Sequence, residues 1–296
     1  MRHAGLQRLA TGPLGAVVWL GISFAKTVRT HQPTRIYRDA EGDWIQSQRR
    51  AVIACPELHL KRFESIEKRV ERLWFRHYHP MAGDVILDVG AGIGEDTIIV
   101  SHAVTPSGRV IAIEPHPRVF RCLQKTVRLS ELTNVVMLSC AVHSSDGEVR
   151  MSDGEFYAAS TALNPVAGER VPARSLDSLF DELGLVRVDL LKMNIEGAEG
   201  DALTGMVGHR QAVRNVAISC HDFLAERGGS PKFRTRSKVL ALLEQWGFSI
   251  LPSLDGAPED WARDYVYATR DATERRGPET LKSPASGPDR APTAQR

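Results

Sequence analysis

With 296 residues, 42% of them hydrophobic and 25% charged, the chain has the composition of a soluble globular protein and room for one large domain with appendages. A formal net charge of +2 gives no bulk electrostatic case for a nucleic-acid partner. Cys55, Cys122, Cys140 and Cys220 are scattered, with no C-x-x-C pair and no zinc spacing. They read as reduced thiols of a cytoplasmic protein, and no metal site is expected.

Residues 13–25 are uncharged but too few to span a bilayer as a helix. Arg2 and Arg8 precede the run, Lys26 and Arg29 follow it, and no convincing small-residue cleavage site appears by Arg35. Two readings lead: a helix docked on the body of the protein, or peripheral membrane contact through residues 13–25. An export signal is the weakest of the three. Over residues 60–78, Leu60, Phe63, Ile66, Val70, Leu73 and Trp74 recur at three- and four-residue steps, the pattern of an amphipathic helix. Residues 1–80 are therefore expected to be a helical N-terminal extension that supplies a lid or part of an acceptor pocket.

From residue 81 to 270 strands and helices alternate. Strand-like runs are Val85–Val89, Arg109–Ile113, Val135–Ala141, Val188–Met193 and Val213–Ser219. Pro117 suits the first position of a helix running to Leu129. Such alternation predicts an α/β fold, a parallel sheet with helices on both faces. The helical signal vanishes between Gly147 and Arg174, where turn-rich sequence suggests a β-hairpin insertion. Ser237–Trp246 reads as a helix, followed by strands at Phe248–Leu251 and Tyr265–Ala268. Residues 271–296 carry Pro278, Pro284, Pro288 and Pro292, many charges and one leucine, so a disordered tail is expected.

Strand Val85–Val89 runs into Gly90-Ala91-Gly92-Ile93-Gly94-Glu95. Strand, glycine turn and helix in that order let the backbone approach a ligand closely. A dinucleotide fingerprint, G-x-G-x-x-G, would need a glycine where Glu95 stands. The pattern is instead D-x-G-x-G-x-G, and an acid beside the turn suits a cationic ligand better than a pyrophosphate. About twenty residues further on, Glu114 ends the next strand in Ile-Glu-Pro-His-Pro, where an acid can accept both hydroxyl protons of a ribose.

Together with Leu191-Lys-Met-Asn-Ile-Glu-Gly-Ala-Glu199 and the Ser-Leu-Asp at 175–177, these motifs resemble the FkbM-type methyltransferases that use S-adenosylmethionine (SAM). The resemblance covers roughly residues 83–222. It implies a Rossmann-like seven-stranded sheet of order 3-2-1-4-5-7-6 with SAM across the carboxyl ends of the strands. On that resemblance Asp88, Gly90, Ala91, Gly92 and Gly94 hold the methionine half, Glu114 and Pro115 meet the ribose, and Ala141 and Val142 line the adenine. Asn194 also belongs to the cofactor site, but it stands where the family usually has Asp. That loss of charge weakens any case for a divalent metal.

His221 follows the apolar strand Val213–Ser219 and falls at the ligand-facing rim. It is either a general base for an acceptor hydroxyl or a rim histidine bonded to a loop carbonyl; Glu196 is the other candidate base. His143 is a weaker competitor. The function implied is O-methylation of a hydroxyl on a sugar, glycolipid or secondary metabolite, a small-molecule or glycan acceptor. Its pocket is expected from residues 30–80, the 147–174 insertion and the loop after His221. A nicotinamide-dependent oxidoreductase and a catalytically weakened SAM-binding protein are the alternatives. Oligomeric state is not legible.

Overall fold

A computed structural model describes residues 15–30, 32–49, 51–58, 60–151 and 168–270. The expected disordered tail and residues 13 and 14 lie outside them. The central sheet consists of β4 (Val85–Val89), β5 (Arg109–Ile113), β6 (Val135–Leu138), β10 (Val188–Met193), β11 (Val213–Ser219), β12 (Ser249–Leu251) and β13 (Tyr265–Thr269). Its spatial order is β12-β13-β11-β10-β4-β5-β6. Numbered along the sheet alone, and read from the β6 edge, that is 3-2-1-4-5-7-6. Neighbours from β6 to β11 are parallel, whereas β13 runs antiparallel to both β11 and β12.

Helices cover both faces, so the inner strands are buried on each side; all six residues of β10 are buried. On one face α5 (Leu176–Leu183), α6 (Glu199–Thr204) and α8 (Arg236–Gln245) pack through Leu179, Phe180, Leu203, Val239 and Leu243 against Leu191, Met193 and Ile218. On the other, α2 (Phe63–Leu73) and α3 (Glu95–Val104) pack through Phe63, Ile66, Val70, Ile98 and Val104 against Ile86, Val110 and Leu190. The helix α4 (Pro117–Leu129) opens on proline, as its sequence predicts. Ser175 caps α5 by accepting the Ser178 N–H, and Gly184 closes it in the left-handed conformation at φ 61°.

Two regions depart from the reading of the sequence. The N-terminal extension is not helical throughout. Between α1 (Gly15–Thr30) and α2 lies an antiparallel meander, β1 (Thr34–Arg38), β2 (Trp44–Gln48) and β3 (Ala51–Cys55). Its inner positions include Gln46 and Gln48, which hide the usual alternation of apolar and polar residues. Both amides are satisfied from afar: Gln46 donates to the Lys61 carbonyl and accepts from Lys26, and Gln48 accepts the Phe63 N–H. Secondly, the third strand of the central sheet stops at Leu138. Ala141–Val142 (β7) belongs to a small sheet with β8 (Gly147–Met151) and β9 (Glu169–Arg174), which form the expected hairpin. Residues 152–167, which follow β8 and precede β9 in the chain, lie outside the described residues.

Candidate active site

The carboxyl ends of β4, β5, β10 and β11 surround a cavity of about 410 Å³, within the range of small-molecule sites, about 300–1,000 Å³. The glycine turn forms its floor. Gly90 has φ 78°, and a Cβ there would sit 2.0 Å from the Asn194 carbonyl oxygen, so no other residue fits where β4 and β10 part. Gly92 also takes a left-handed φ, 57°, with open space where a Cβ would be.

Glu114 ends β5 with its carboxylate against this turn. One oxygen accepts the Gly92 N–H at 3.0 Å and the other the His116 N–H at 2.9 Å. Burial pushes its carboxyl up to about 7, against the lowering effect of those two N–H donors. Gly90, Ala91, Gly92, Glu114, Pro115, Ala141, Val142, Asn194, Glu196 and His221 all line the cavity.

Asp88 and Gly94, read from sequence with the cofactor residues, lie off the cavity wall. Asp88 is fully buried within β4. It accepts from Lys192 Nζ at 2.6 Å and from Thr97 Oγ1 at 2.8 Å. Desolvation draws the Lys192 ammonium down, but Asp88 and Asp96 outweigh it and hold the lysine charged. Lys192 Nζ also lies 4.7 Å from the Trp74 ring centroid, and Trp74 Nε1 donates to Asp96. Arg69 completes the cluster by pairing with both Glu95 and Asp96. Gly94, at φ 87°, lies against Leu123 and Thr126 of α4 and serves packing. Asp88 and Lys192 face each other in register across β4 and β10, so a charge inside each of two apolar strands was the available signal.

At the opposite end of the cavity Glu199, His221 and Glu196 form a chain. Glu199 is fully buried at the start of α6. Its Oε1 faces His221 Nδ1 at 2.8 Å and accepts the Gly197 N–H, while Oε2 accepts the Thr235 hydroxyl proton. His221 Nε2 lies 3.4 Å from Glu196 Oε2. Burial alone would lower the imidazole, but hydrogen bonds to Glu196 and Glu199, reinforced by their charge, raise it to about 10. The ring is therefore an imidazolium near neutral pH, with both N–H groups donating. Neither earlier reading of His221 describes that state. Glu196 reaches the cavity with φ 53°, a left-handed conformation uncommon outside glycine and asparagine and characteristic of strained functional sites.

Segments far apart in the chain build the remaining wall: Lys61, Arg69, Leu73 and Trp74 from the extension, Met151 from the hairpin, and Phe223, Trp261 and Tyr265 beyond β11. The extension, the hairpin and Phe223 fall in the three regions expected to form an acceptor pocket, whereas Trp261 and Tyr265 were not among them. His143 does not line the cavity. The four cysteines are buried free thiols, and desolvation raises Cys122 to about 12 and Cys140 to about 11. Burial of this kind disfavours the thiolate form, and among the described residues no group of three or more His, Cys, Asp and Glu is placed to hold a metal ion.

Residues 88–250 match the methyltransferase FkbM domain. The chain belongs to that family. Methyltransferase sdnD of Sordaria araneosa is 28% identical over 214 residues, 60% of this chain and 77% of that protein. The hexuronic acid methyltransferase AglP of Haloferax volcanii is 28% identical over 139 residues, 47% of this chain and 56% of that protein. The solved structure of Aeropyrum pernix fibrillarin with natively bound SAM aligns with a TM-score of 0.44 at 15% identity, over 80% of this chain and 82% of that one; it is too distant for residue-level inference.

The cavity of this FkbM-family protein fits SAM. The buried Glu114 carboxylate has the acceptor chemistry a ribose diol requires, and Ala141 and Val142 line the same cavity. At Gly92 the turn has open space where a side chain would begin, so a ligand can pass close to the backbone there.

Proposed function

We propose that the protein transfers the methyl group of SAM to a hydroxyl of a sugar, glycolipid or other secondary metabolite. The observation that carries this reading is the Glu196 carboxylate, open to the cavity and backed by the buried His221–Glu199 pair. SAM when bound supplies an activated methyl group, so the protein's share is chiefly alignment and removal of the acceptor proton. Glu196 takes that proton. The His221 imidazolium is not a proton acceptor at neutral pH; it donates a hydrogen bond to Glu196 and fixes its rotamer, while Glu199 holds the ring from behind. Trp74 and Tyr265, packed together with ring centroids 5.0 Å apart, and Trp261 beside them give the cavity an aromatic wall against which the apolar face of a sugar ring would lie. Lys61 and Arg69 on the same wall are paired with Glu95 and Asp96, so an acceptor with an acidic substituent, a chemistry named for the Haloferax relative, would have to displace one of those carboxylates.

The test is methyl transfer from deuterium-labelled SAM to a panel of neutral and uronic glycosides, read by mass spectrometry. Glu196→Gln should lower kcat on the order of a hundredfold, the lower end for loss of a general base, while SAM still binds. Label found only on nitrogen or carbon, or an undiminished kcat in Glu196→Gln, overturns the reading.

A further inference from the structure

The outer face of α1 is unpaired and wholly apolar. Val17, Leu20, Phe24 and Val28 follow one another at three- and four-residue steps, a single stripe along the helix. Their exposures are 67%, 71%, 72% and 56%. The opposite face is docked. Val18, Trp19 and Ile22 pack on Ile36 and Trp44, and Trp19 meets Trp44 edge-on with ring centroids 5.7 Å apart. Ser23 and Thr27 accept the backbone N–H groups of Ile36 and Thr34. The stripe is thus held facing outward on a fixed helix. It cannot turn inward without breaking the contacts that position it.

The sequence around this stripe is cationic as far as Arg38, after which Asp39 and Glu41 follow. From Met1 to Arg38 the sequence carries Arg2, Arg8, Lys26, Arg29, Arg35 and Arg38 and no acidic residue. Arg29, Arg35 and Arg38 are exposed. An apolar stripe within an exclusively cationic stretch is complementary to an anionic lipid surface, which offers acyl chains to the stripe and phosphate groups to the arginines. The helix has 16 residues, and among the described residues no helix is long and apolar enough to cross a membrane. Lying in the interface is the arrangement that buries the stripe.

We propose that α1 docks the protein on anionic membranes through Val17, Leu20, Phe24 and Val28. The docked helix adjoins the active-site wall: Lys26 Nζ bonds the side chain of Gln46 at 2.7 Å and the backbone carbonyl of Lys61 at 3.3 Å, and Lys61 lines the cavity. The docking itself does not depend on methyl transfer.

The test is co-sedimentation of the full chain with vesicles of phosphatidylcholine alone and of phosphatidylcholine with phosphatidylglycerol. Binding to the anionic vesicles is expected, falling at least about tenfold in Leu20→Gln/Phe24→Gln, which removes two of the four apolar anchors. Because those side chains are exposed, the variant should keep the wild-type melting temperature. Absence of wild-type binding to anionic vesicles overturns the proposal, as does equal binding by wild type and variant. A dimer in sedimentation velocity that the double variant dissolves, without vesicle binding, assigns the stripe to a second copy of the chain and likewise overturns it.

Discussion

Glu114 shows how one side chain can both brace the glycine turn and present acceptor atoms to the cavity. Its two oxygens already accept the Gly92 and His116 N–H groups, which aim the remaining lone pairs into the cavity. Removing the carboxylate should forfeit two charge-assisted hydrogen bonds to a diol, each worth about 1.5–3 kcal/mol. Glu114→Ala should therefore weaken SAM binding by roughly tenfold to a few hundredfold, tenfold being 1.4 kcal/mol, with the fold intact. Calorimetry on the two proteins checks this; equal affinities would exclude Glu114 from the cofactor site. The pH dependence follows from the raised carboxyl. With a value of about 7 in the free protein, Glu114 is increasingly protonated below neutrality and loses acceptor strength. Wild-type affinity should fall as pH drops from 8 to 6, and Glu114→Gln should show a much flatter profile. His221 carries the opposite expectation. Held at about 10, it does not titrate between pH 6 and 8. A pH–rate profile with a histidine step near 6.5 that vanishes in His221→Gln would contradict the imidazolium assignment.

At the scale of elements, the pairing of β4 with β10 depends on a buried ion pair as well as on backbone hydrogen bonds. Asp88 and Lys192 are each almost completely inaccessible, so either charge left alone would be costly. Lys192→Met should destabilise the protein by about 3–5 kcal/mol, the range for breaking a buried pair from one side. Asp88→Leu/Lys192→Met should recover a large part of that loss, because the double change leaves neither charge unpaired. Urea denaturation of the variants tests both statements; a double variant no more stable than Lys192→Met would mean that Asp96 or Thr97 needs the pair as well. The same elements explain what the sequence left obscure. The strands of the central sheet are nearly continuous apolar runs, whereas β1 to β3 are five residues each and bury glutamines. Their identity rests on partners far away in the chain, Lys61 and Phe63, which no local pattern names.

Across the whole molecule, the extension is part of the core and not an attached lid. Val52 and Ala54 of β3 donate to Ser130 Oγ and Thr126 Oγ1 at the end of α4, and Asp39, Glu41 and Asp43 surround Lys125 on the same helix. Ile53 and Ala54 join the hydrophobic layer that also holds Ile66 and Ile98. Removing residues 1–60 would strip the buried Lys125 of its carboxylates and uncover that layer. The truncated protein should be insoluble or melt many degrees below the full chain, measured by calorimetry. An unchanged melting temperature would show that residues 61–296 fold without the extension.

Much of the fold was legible because burial on both faces forces parallel strands to be apolar throughout, and glycine is required wherever the backbone turns against a neighbour. By itself the sequence determined the run of strands and helices from residue 85 onward, the glycine turn at Gly90 to Gly94, and the acid at the end of β5. The tertiary structure decided the charge state of His221, which depends on two carboxylates converging on one ring. It also decided that Asp88 faces Lys192 in the core and not the cavity. Those outcomes depend on desolvation and Coulomb interaction, which act through space between residues that the chain order separates.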